Sequence, residues 1–302
     1  MLASRKGGLR VLVIGTLFAW LAARVGEIAN LPILQQVPNP VALVRPDRWW
    51  RRRTSPSDAE EHIPINFVRA EPTLERARAR WRKTLAWRQR EGVDAILTKP
   101  NANFYAVKHH YPHALHLPDR EGHLTYWEMP GRLNMTGLRQ CGVSPVDGYR
   151  HYVWHSEYTW QLAAPKEGAQ AMVLFDAGGF GWEQLSLELL DLIKRIVDFT
   201  NQHYPHRAAR IVIVNTPSWY NTLYTMIKPI MSDVCEAKLV FLTAKEVRKG
   251  ALLKWIAPAN LPVEYGGKSK VPLGDSKYER SMRAYVDKIN KRHGVKPKPA
   301  EC

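Results

Sequence analysis

Residues 203–231, HYPHRAARIVIVNTPSWYNTLYTMIKPIM, hold the pattern that decides the fold. The near-continuous apolar run ARIVIVNT predicts a buried strand, and the turn residues after it lead into a helix-like stretch at 218–230. That stretch begins with two aromatic side chains, Trp219 and Tyr220, and presents Lys228 near its end. An ordinary core helix and a helix that lines a cavity predict the same apolar stripe, so periodicity leaves both hypotheses open.

The alternation of strand and helix continues on both sides of this stretch. Apolar runs at 123–131, 171–179 and 237–244 predict three further strands, and amphipathic patterns at 149–163 and 186–205 predict helices between them. Near-continuous apolar strands joined by helices are typical of a parallel or mixed sheet that helices cover. We therefore predict an α/β domain.

The composition of the chain divides it into four segments. Residues 1–53 form an apolar membrane or targeting segment that ends in a basic and aromatic belt. Residues 54–100 form a helical lead-in with the helix LERARARWRKTLAWRQRE, and the α/β domain occupies 101–270. Residues 271–302 form a basic C-terminal helix, SKYERSMRAYVDKINKR, and a tail rich in lysine and proline.

The N-terminal segment predicts attachment to a membrane. Its apolar run VLVIGTLFAWLAA, residues 11–23, is flanked by basic residues but is shorter than the roughly 20 residues of a spanning helix. A secretory signal fits this pattern, as do a mitochondrial presequence or uncleaved mitochondrial anchor and an anchor in another membrane. We expect association with the mitochondrial inner membrane, and the cytosolic face of another membrane is the alternative.

An aromatic and arginine-rich belt follows the apolar run, in RPDRWWRRRTSPSD. Trp49 and Trp50 suit the depth of lipid headgroups, and Arg51, Arg52 and Arg53 suit their phosphates. A linker with packed tryptophans and solvated arginines is the alternative. Arginine is more frequent after the apolar run than before it, so the main domain is expected on the cytosolic or matrix side.

The basic charge of the chain is concentrated at its ends. The net charge is +16, of which residues 1–53 carry +7 and residues 268–302 carry +6. A nucleic-acid-binding fold would carry a basic stripe on its own surface, and only +3 remains for the middle of the chain. We therefore expect a membrane or a large acidic partner and no nucleic acid.

The motifs predict no enzyme. The glycines after the strand at 171–179 read GGFG, which lacks both GxGxxG and GxxxxGK[ST]. No GxSxG nucleophile elbow occurs, and Asp176 at a strand end suits a turn or a cap. We expect no catalytic residues and no nucleotide cofactor.

The histidines and cysteines predict neither a metal site nor a disulfide. His109 and His113 are four residues apart, but Pro112 breaks the helix which that spacing needs, and His151 with His155 lacks further ligands. The three cysteines are far apart and form no CxxC pair, so we expect no disulfide framework, no zinc site and a reducing or neutral compartment.

Several stretches, taken in order, resemble the CRAL-TRIO lipid-binding family, which includes phosphatidylinositol-transfer, retinaldehyde-binding and tocopherol-transfer proteins. They are INFVRAEPTLERARARWRKTLAWRQREGVD, DREGHLTYWEMPGRL, MVLFDAGGFGWEQLS, HYPHRAARIVIVNTPSWYNTLYTMIKPIM and IAPANLPVEYGGKS. The last two carry the most specific motifs, Tyr-Pro-x-Arg with Asn-x-Pro-aromatic and Lys-Pro, and Leu-Pro-x-Glu-aromatic-Gly-Gly. The resemblance covers about residues 60 to 270.

The resemblance implies a bowl with a mixed sheet as its floor, flanking helices and a gate helix at 218–230 over an apolar cavity that holds one lipid. It implies a lipid as the bound ligand and no other cofactor. The candidate lipid-binding residues are Trp219, Tyr220, Leu223, Tyr224, Ile227, Lys228, Arg69 and Tyr126.

Charged positions carry the implied headgroup contacts. In phosphoinositide-binding relatives a lysine matching Lys228 contacts the lipid phosphate, helped by an arginine of the lead-in and a glutamate on the helix before Tyr-Pro. This chain keeps Arg69, but the glutamate position falls at about Arg195, which puts phosphatidylinositol specificity in doubt.

Two hypotheses about function follow from the resemblance and the basic ends. The first is a membrane-tethered protein that binds a lipid and either presents it or transfers it between membranes. The second is a CRAL-TRIO fold recruited as an accessory subunit of a membrane complex, with its cavity vestigial or filled by a fixed lipid.

Overall fold

The computed structural model describes residues 62–180, 187–216 and 239–302 of the chain. The helices within these ranges are α1 (Ile65–Ala70), α2 (Leu74–Glu91), α3 (Phe104–His110), α4 (Met135–Gln140), α5 (Pro145–Tyr158), α6 (Leu187–His203), α7 (Ala244–Arg248) and α8 (Lys277–Arg292). The strands are β1 (His113–His116), β2 (Leu124–Glu128), β3 (Ala171–Asp176), β4 (Ala208–Thr216) and β5 (Leu239–Thr243). Short 3₁₀ turns and a π turn, Thr159–Ala163, join or extend these elements.

The strands form one five-stranded sheet in the order β1-β2-β3-β4-β5. β1 pairs antiparallel with β2, and all the other neighbours are parallel. The prediction of a mixed, largely parallel sheet that helices cover is confirmed. The sequence did not predict β1, because its four residues HALH are all buried and half of them are histidines, which hides the apolar alternation of a strand.

The sheet separates two apolar cores. On one face, alternate side chains of β2 to β5 are at most 7% exposed: Trp127, Met172, Leu174, Val212, Val214 and Leu242. They pack against residues of the segment after α7, among them Leu252, Ile256 and Leu261. On the opposite face, Leu115 and Leu124 pack with Val153, Trp154 and Tyr158 of α5. Helix α5 therefore covers only the β1–β2 end of that face with these contacts.

Helix α2 coincides with the predicted lead-in helix. The Thr73 side chain caps its first turn by accepting from the Arg76 amide, and Gly92 ends it in the left-handed conformation with φ of 63°. Trp81 and Trp87 point into the core while the remaining faces carry charge. The guanidinium of Arg88 donates to both carboxylate oxygens of the buried Glu157 at 2.8 and 2.9 Å, which fixes α2 on α5.

Helix α8 agrees with the helix predicted near the C-terminus. Its N-cap, Ser276, accepts from the Glu279 amide, and the Glu279 carboxylate lies 1% exposed beneath it. That carboxylate accepts from the Leu115 amide of β1 and pairs with Lys108 of α3 at 2.9 Å. A buried carboxylate therefore joins the C-terminal helix to the edge of the sheet.

The prediction that the chain has no disulfide is wrong. Cys141, just after α4, is bonded to the C-terminal residue Cys302, with 5.1 Å between their Cα atoms. The two cysteines are 161 residues apart in the sequence, so no local spacing could have indicated the pair. Only the return of the C-terminal tail across α3 and α4 brings them together.

No helix within residues 62–180, 187–216 and 239–302 is long and apolar enough to span a membrane. The apolar run at 11–23 and the belt at 49–53 lie outside the described residues. Membrane attachment through them stays a prediction.

Candidate lipid-binding face

One face of the sheet stays half-buried and apolar from β2 to β5. Strand register aligns two rows across it: Tyr126, Val173, Ile211 and Leu239 in the first, and Glu128, Phe175, Ile213 and Phe241 in the second. The seven apolar or aromatic side chains of these rows are half-buried. We call these seven residues the sheet floor.

The partial burial of the sheet floor is unusual for its type of sheet. Parallel strands are normally covered on both faces, and most alternate residues of the same strands are buried, although Val240 is only partly buried. A continuous half-exposed apolar face flanked by helices is the shape that a hydrophobic ligand requires. The floor is therefore the best candidate for a ligand-binding surface among the described residues.

A group of polar side chains closes the β1–β2 end of the floor. We call it the polar cluster: Glu128, Tyr111, Tyr126, Tyr152, His113, His151 and His155. The Tyr111 hydroxyl donates to Glu128, and the Tyr152 hydroxyl donates to Tyr111 at 3.2 Å. Burial raises the pKa of the Glu128 carboxyl, while hydrogen bonds from the three tyrosines oppose this rise. Burial, and then the nearby Glu128, raise the pKa of each of the three hydroxyls.

Each histidine of the polar cluster has a lowered pKa, which favours the neutral ring. Burial, followed by the charge of Lys108, lowers the pKa of His113 and His155 well below its ordinary value and that of His151 to about 3. His113 Nδ1 lies 2.7 Å from the Tyr111 carbonyl, which can only accept, so Nδ1 carries the proton. His113 Nε2 then accepts from His151 Nε2 at 3.0 Å. The ring orientation is thus fixed by hydrogen bonds.

Of the two predicted lipid-binding residues that the structure describes, Tyr126 lies on the floor and Arg69 does not. Tyr126 is in its first row and touches His155, with ring centroids 5.0 Å apart. Arg69 is exposed on α1, where its guanidinium lies near Gly168. The remaining predicted residues lie outside the described residues: Trp219, Tyr220, Leu223, Tyr224, Ile227 and Lys228.

Sequence reasoning missed most of the polar cluster. The sequence predicts no metal site at His113 or His151, and Glu128 and Tyr111 belong to no site motif. The i, i+4 spacing of His151 and His155 on an amphipathic helix was the available signal, but its partner on β1 is visible only in the fold. Among the described residues, no three His, Cys, Asp or Glu side chains are arranged to hold a metal ion.

Three motifs of the sequence meet at the carboxyl end of β3. The Asp176 carboxylate accepts from the Gly178 amide and from Asn215 Nδ2, both at 2.8 Å, and from the Tyr265 hydroxyl at 2.7 Å. Asn215 has φ of 55°, at an irregularity in the pairing of β4 with β5. The carboxylate therefore fixes the backbone where the chain leaves the sheet floor. The hydrogen bond from the Gly178 amide agrees with the turn that the position of Asp176 at a strand end predicts.

A second concave surface lies away from the floor, between α2 and α6. It has a volume of about 900 Å³, and we call it the cationic groove. Its cationic lining residues are Arg76, Arg80, Lys83, Arg90 and Arg195, against the acids Glu71, Glu91 and Asp198. Aromatic side chains, among them Trp87, Tyr149 and Phe199, form its base. Arg195, at about the position where the resemblance implies a glutamate, therefore lines this groove.

A model of the CRAL/TRIO domain matches residues 108–267, more than half of the chain. The chain belongs to the CRAL/TRIO domain family. The matched residues contain all five strands of the sheet. The lead-in helices α1 and α2 precede the match. The predicted family and fold are confirmed.

Known CRAL/TRIO relatives include proteins named for phospholipid transfer. The chain is 28% identical over 222 residues to "Phosphatidylinositol/phosphatidylcholine transfer protein SFH7" of Arabidopsis thaliana, covering 70% of this chain and 40% of the relative. It is 25% identical to "SEC14 cytosolic factor" of Eremothecium gossypii, covering 68% and 69%. The chain thus spans about two fifths of the length of the plant relative.

A solved structure supports the same fold. The crystal structure of Sfh5 superposes with a TM-score of 0.50 at 15% sequence identity, covering 70% of this chain and 78% of that one. At this identity the likeness concerns the fold alone.

Proposed function

We propose that this chain binds one phospholipid against the sheet floor and is held at a membrane by its N-terminal segment. The observation that carries the proposal is the continuous half-buried apolar face of seven side chains on a sheet whose other face is mostly buried. Burying an acyl chain of about 16 CH₂ groups, at about 0.8 kcal/mol each, outweighs the cost of desolvating the headgroup. The names of the relatives support a phospholipid as the ligand class.

The chain topology supports a cover over the floor. The sheet runs β2-β3-β4-β5 with all neighbours parallel, so each connection must cross one face of the sheet. Crossovers are right-handed, and successive ones in the same direction fall on the same face. The connection between β2 and β3 runs through α5, which packs on the Tyr126 face. The gate helix predicted at 218–230 belongs to the connection between β4 and β5, lies outside the described residues and stays a prediction.

The polar cluster supports a headgroup that carries an ammonium. Three tyrosines surround the Glu128 carboxyl at one end of the floor, and aromatic faces with a carboxylate attract a quaternary ammonium. An entering cation would also favour the ionised form of Glu128, whose pKa is raised by burial. We propose phosphatidylcholine rather than an inositol lipid as the preferred ligand.

A transfer assay with the full chain tests this preference. Vesicles carrying phosphatidylcholine are compared with vesicles carrying phosphatidylglycerol of the same acyl chains, because both share the phosphate. We expect Glu128→Gln to slow phosphatidylcholine transfer roughly tenfold and to leave phosphatidylglycerol transfer unchanged. The exposed Glu264→Gln is the matched control. Equal loss with both lipids would contradict the headgroup assignment and leave lipid binding intact.

A second candidate function is that of an accessory subunit in a membrane complex. The cationic groove favours it, because an acidic partner helix could lie between α2 and α6 with apolar residues on Trp87, Tyr149 and Phe199. Purification in mild detergent separates the two functions. A chain that purifies alone and exchanges lipid supports the first proposal. A chain that purifies only with other subunits and never exchanges lipid supports the second.

The composition of the N-terminal segment supports a proposal about location. We propose the mitochondrial inner membrane, supported by the basic, initially acid-free start and the aromatic belt at 49–53. Subcellular fractionation of the full chain and of a chain lacking residues 1–53 tests it. Loss of the mitochondrial membrane fraction on truncation is the expected outcome, and unchanged fractionation would contradict it.

A further inference from the structure

The C-terminal tail lies across the surface of α3 and α4 with few non-covalent contacts. The Lys298 amide donates to the Ala102 carbonyl, and Lys298 Nζ donates to the Gly142 carbonyl, both at 2.8 Å. His293 Nε2 lies 3.0 Å from the Thr98 carbonyl. Most residues after Arg292 are exposed, so little apolar burial holds the tail. His109 Nε2 of α3 also lies 3.8 Å from the Glu301 carboxylate. The disulfide at Cys302 adds a covalent attachment to these contacts.

The two ends of the disulfide have different environments. Cys302 is exposed, whereas Cys141 is 6% exposed in a core with Ala106, Val107 and Leu138. His110 Nε2 lies 3.5 Å from the Cys141 sulfur. The ring of His110 is held by close packing on Gly137, where a Cβ would lie 2.2 Å from its Nδ1. The Cys302 sulfur is thus accessible to a small thiol, and the Cys141 sulfur lies beside the His110 imidazole, whose position is fixed by packing.

We infer that Cys302 and Cys141 form a thiol–disulfide exchange site that fastens and releases the C-terminal tail. The reductant is a small-molecule thiol of the glutathione class. Its thiolate attacks the Cys302 sulfur, the S–S bond breaks, and the electron pair leaves on the Cys141 sulfur, which takes up a proton. A second thiol then attacks the mixed disulfide and frees Cys302. Two small thiols are oxidised to one disulfide, and their two protons end on the two cysteines.

Release of the tail changes the surface beneath it. Ala300 forms part of the wall of a cavity of about 390 Å³ that Lys108, Arg132, Glu264 and Arg283 also line. The oxidised tail closes one side of this cavity, and the reduced tail opens it. The redox state of one bond therefore determines access to a charged cavity on the side of α3 and α8.

A redox titration of the full chain tests the exchange site. The protein is equilibrated in reduced or oxidised glutathione, free thiols are alkylated, and peptides are mapped by mass spectrometry. We expect Cys141 and Cys302 to be alkylated only after equilibration with reduced glutathione, and oxidised glutathione to reverse the change. A bond that forms in neither buffer, or that native protein keeps in millimolar reduced glutathione, would overturn the inference.

Hydrogen exchange tests the release of the tail. We expect the Lys298 amide to exchange at least about tenfold faster in the reduced protein and in Cys302→Ser. Cys302→Ser leaves the buried Cys141 in place, and Cys235→Ser is the matched control that should behave as the unaltered chain. Equal exchange of the Lys298 amide in the oxidised and reduced proteins would show that the bond fastens nothing.

Discussion

Asp176, Asn215 and Tyr265 come from three separate motifs and meet at one buried carboxylate. Their sequence stretches, FDAGG, IVNTP and LPVEYGG, were recognisable as family motifs, but nothing in the sequence indicated that they touch. Their meeting gives a physical reason for the motifs, because the carboxylate ties the ends of β3 and β4 to the turn after α7. The motifs therefore specify the fold around the sheet floor and not the ligand directly.

We expect Tyr265→Phe to lower the free energy of unfolding by about 2 kcal/mol. The substitution removes a 2.7 Å hydrogen bond to the Asp176 carboxylate and leaves a buried acceptor with one donor fewer. Chemical denaturation of the full chain measures the change. Tyr278→Phe, at a partly buried position on α8, is the control and should change stability by less than about 0.5 kcal/mol. An unchanged denaturation midpoint for Tyr265→Phe would contradict the role of the hydroxyl.

His116 is buried without a hydrogen-bond partner for either ring nitrogen among the described residues. Burial lowers its pKa to about 4. A histidine whose pKa is lowered by folding makes the folded state less stable at low pH. Its contribution to the free energy of unfolding is fully present above the unfolded pKa of about 6.5 and is lost as the pH falls towards 4. The slope is about 1.4 kcal/mol per pH unit for one such group.

We expect His116→Leu to raise stability by about 1 to 2 kcal/mol at pH 7, because it removes two unsatisfied polar atoms. The variant should also lose less stability than the unaltered chain between pH 6.5 and 4. Thermal unfolding at several pH values measures both effects, with the more exposed His109→Leu as the control. A variant that is less stable and equally pH-sensitive would show that His116 has a partner.

At the scale of elements, the sequence predicted β2 to β5, the lead-in helix and the C-terminal helix. The apolar residues of these elements repeat every two residues in strands or every 3.6 residues in helices, and the structure forms strands and helices where these repeats occur. The sequence did not predict β1. Helix α8 buries this strand, and the Glu279 carboxylate of α8 accepts a hydrogen bond from the Leu115 amide. A four-residue strand with two histidines is recognisable only from the elements that pack on it.

The contact of α2 with α5 depends on a buried ion pair. Glu157 is 3% exposed and accepts from Arg88, Tyr204 and Gln161. We expect Glu157→Gln to destabilise the protein by about 3 to 5 kcal/mol, because the largely buried Arg88 loses its bidentate partner and keeps the more exposed Asp94 carboxylate. Glu91→Gln removes the exposed pair with Arg90 and should cost less than about 1 kcal/mol. Similar denaturation midpoints for the two variants would contradict this account of the interface.

At the scale of the whole molecule, the sequence predicted the family, the sheet and a lipid as the ligand class. It predicted Tyr126 as a lipid-binding residue, which stays a prediction, and it missed the disulfide and most of the polar cluster. Both depend on residues far apart in sequence, such as Tyr111 with Tyr152 and Cys141 with Cys302. The predicted gate residues and the membrane belt lie outside the described residues and stay predictions.

The central claim is that the sheet floor holds one lipid. Val173 lies in the first row of the floor, between Tyr126 and Ile211, so Val173→Trp should fill the space that an acyl chain needs. Val263, which is 65% exposed, provides the same substitution away from the floor.

Native mass spectrometry of the full chain, followed by lipid extraction, tests this claim most directly because it measures the amount of lipid bound per chain. The account predicts one phospholipid per chain in the unaltered protein and in Val263→Trp, and at least a tenfold loss of bound lipid in folded Val173→Trp. A folded, unaltered chain without lipid, or a Val173→Trp chain that keeps its lipid, would contradict the account.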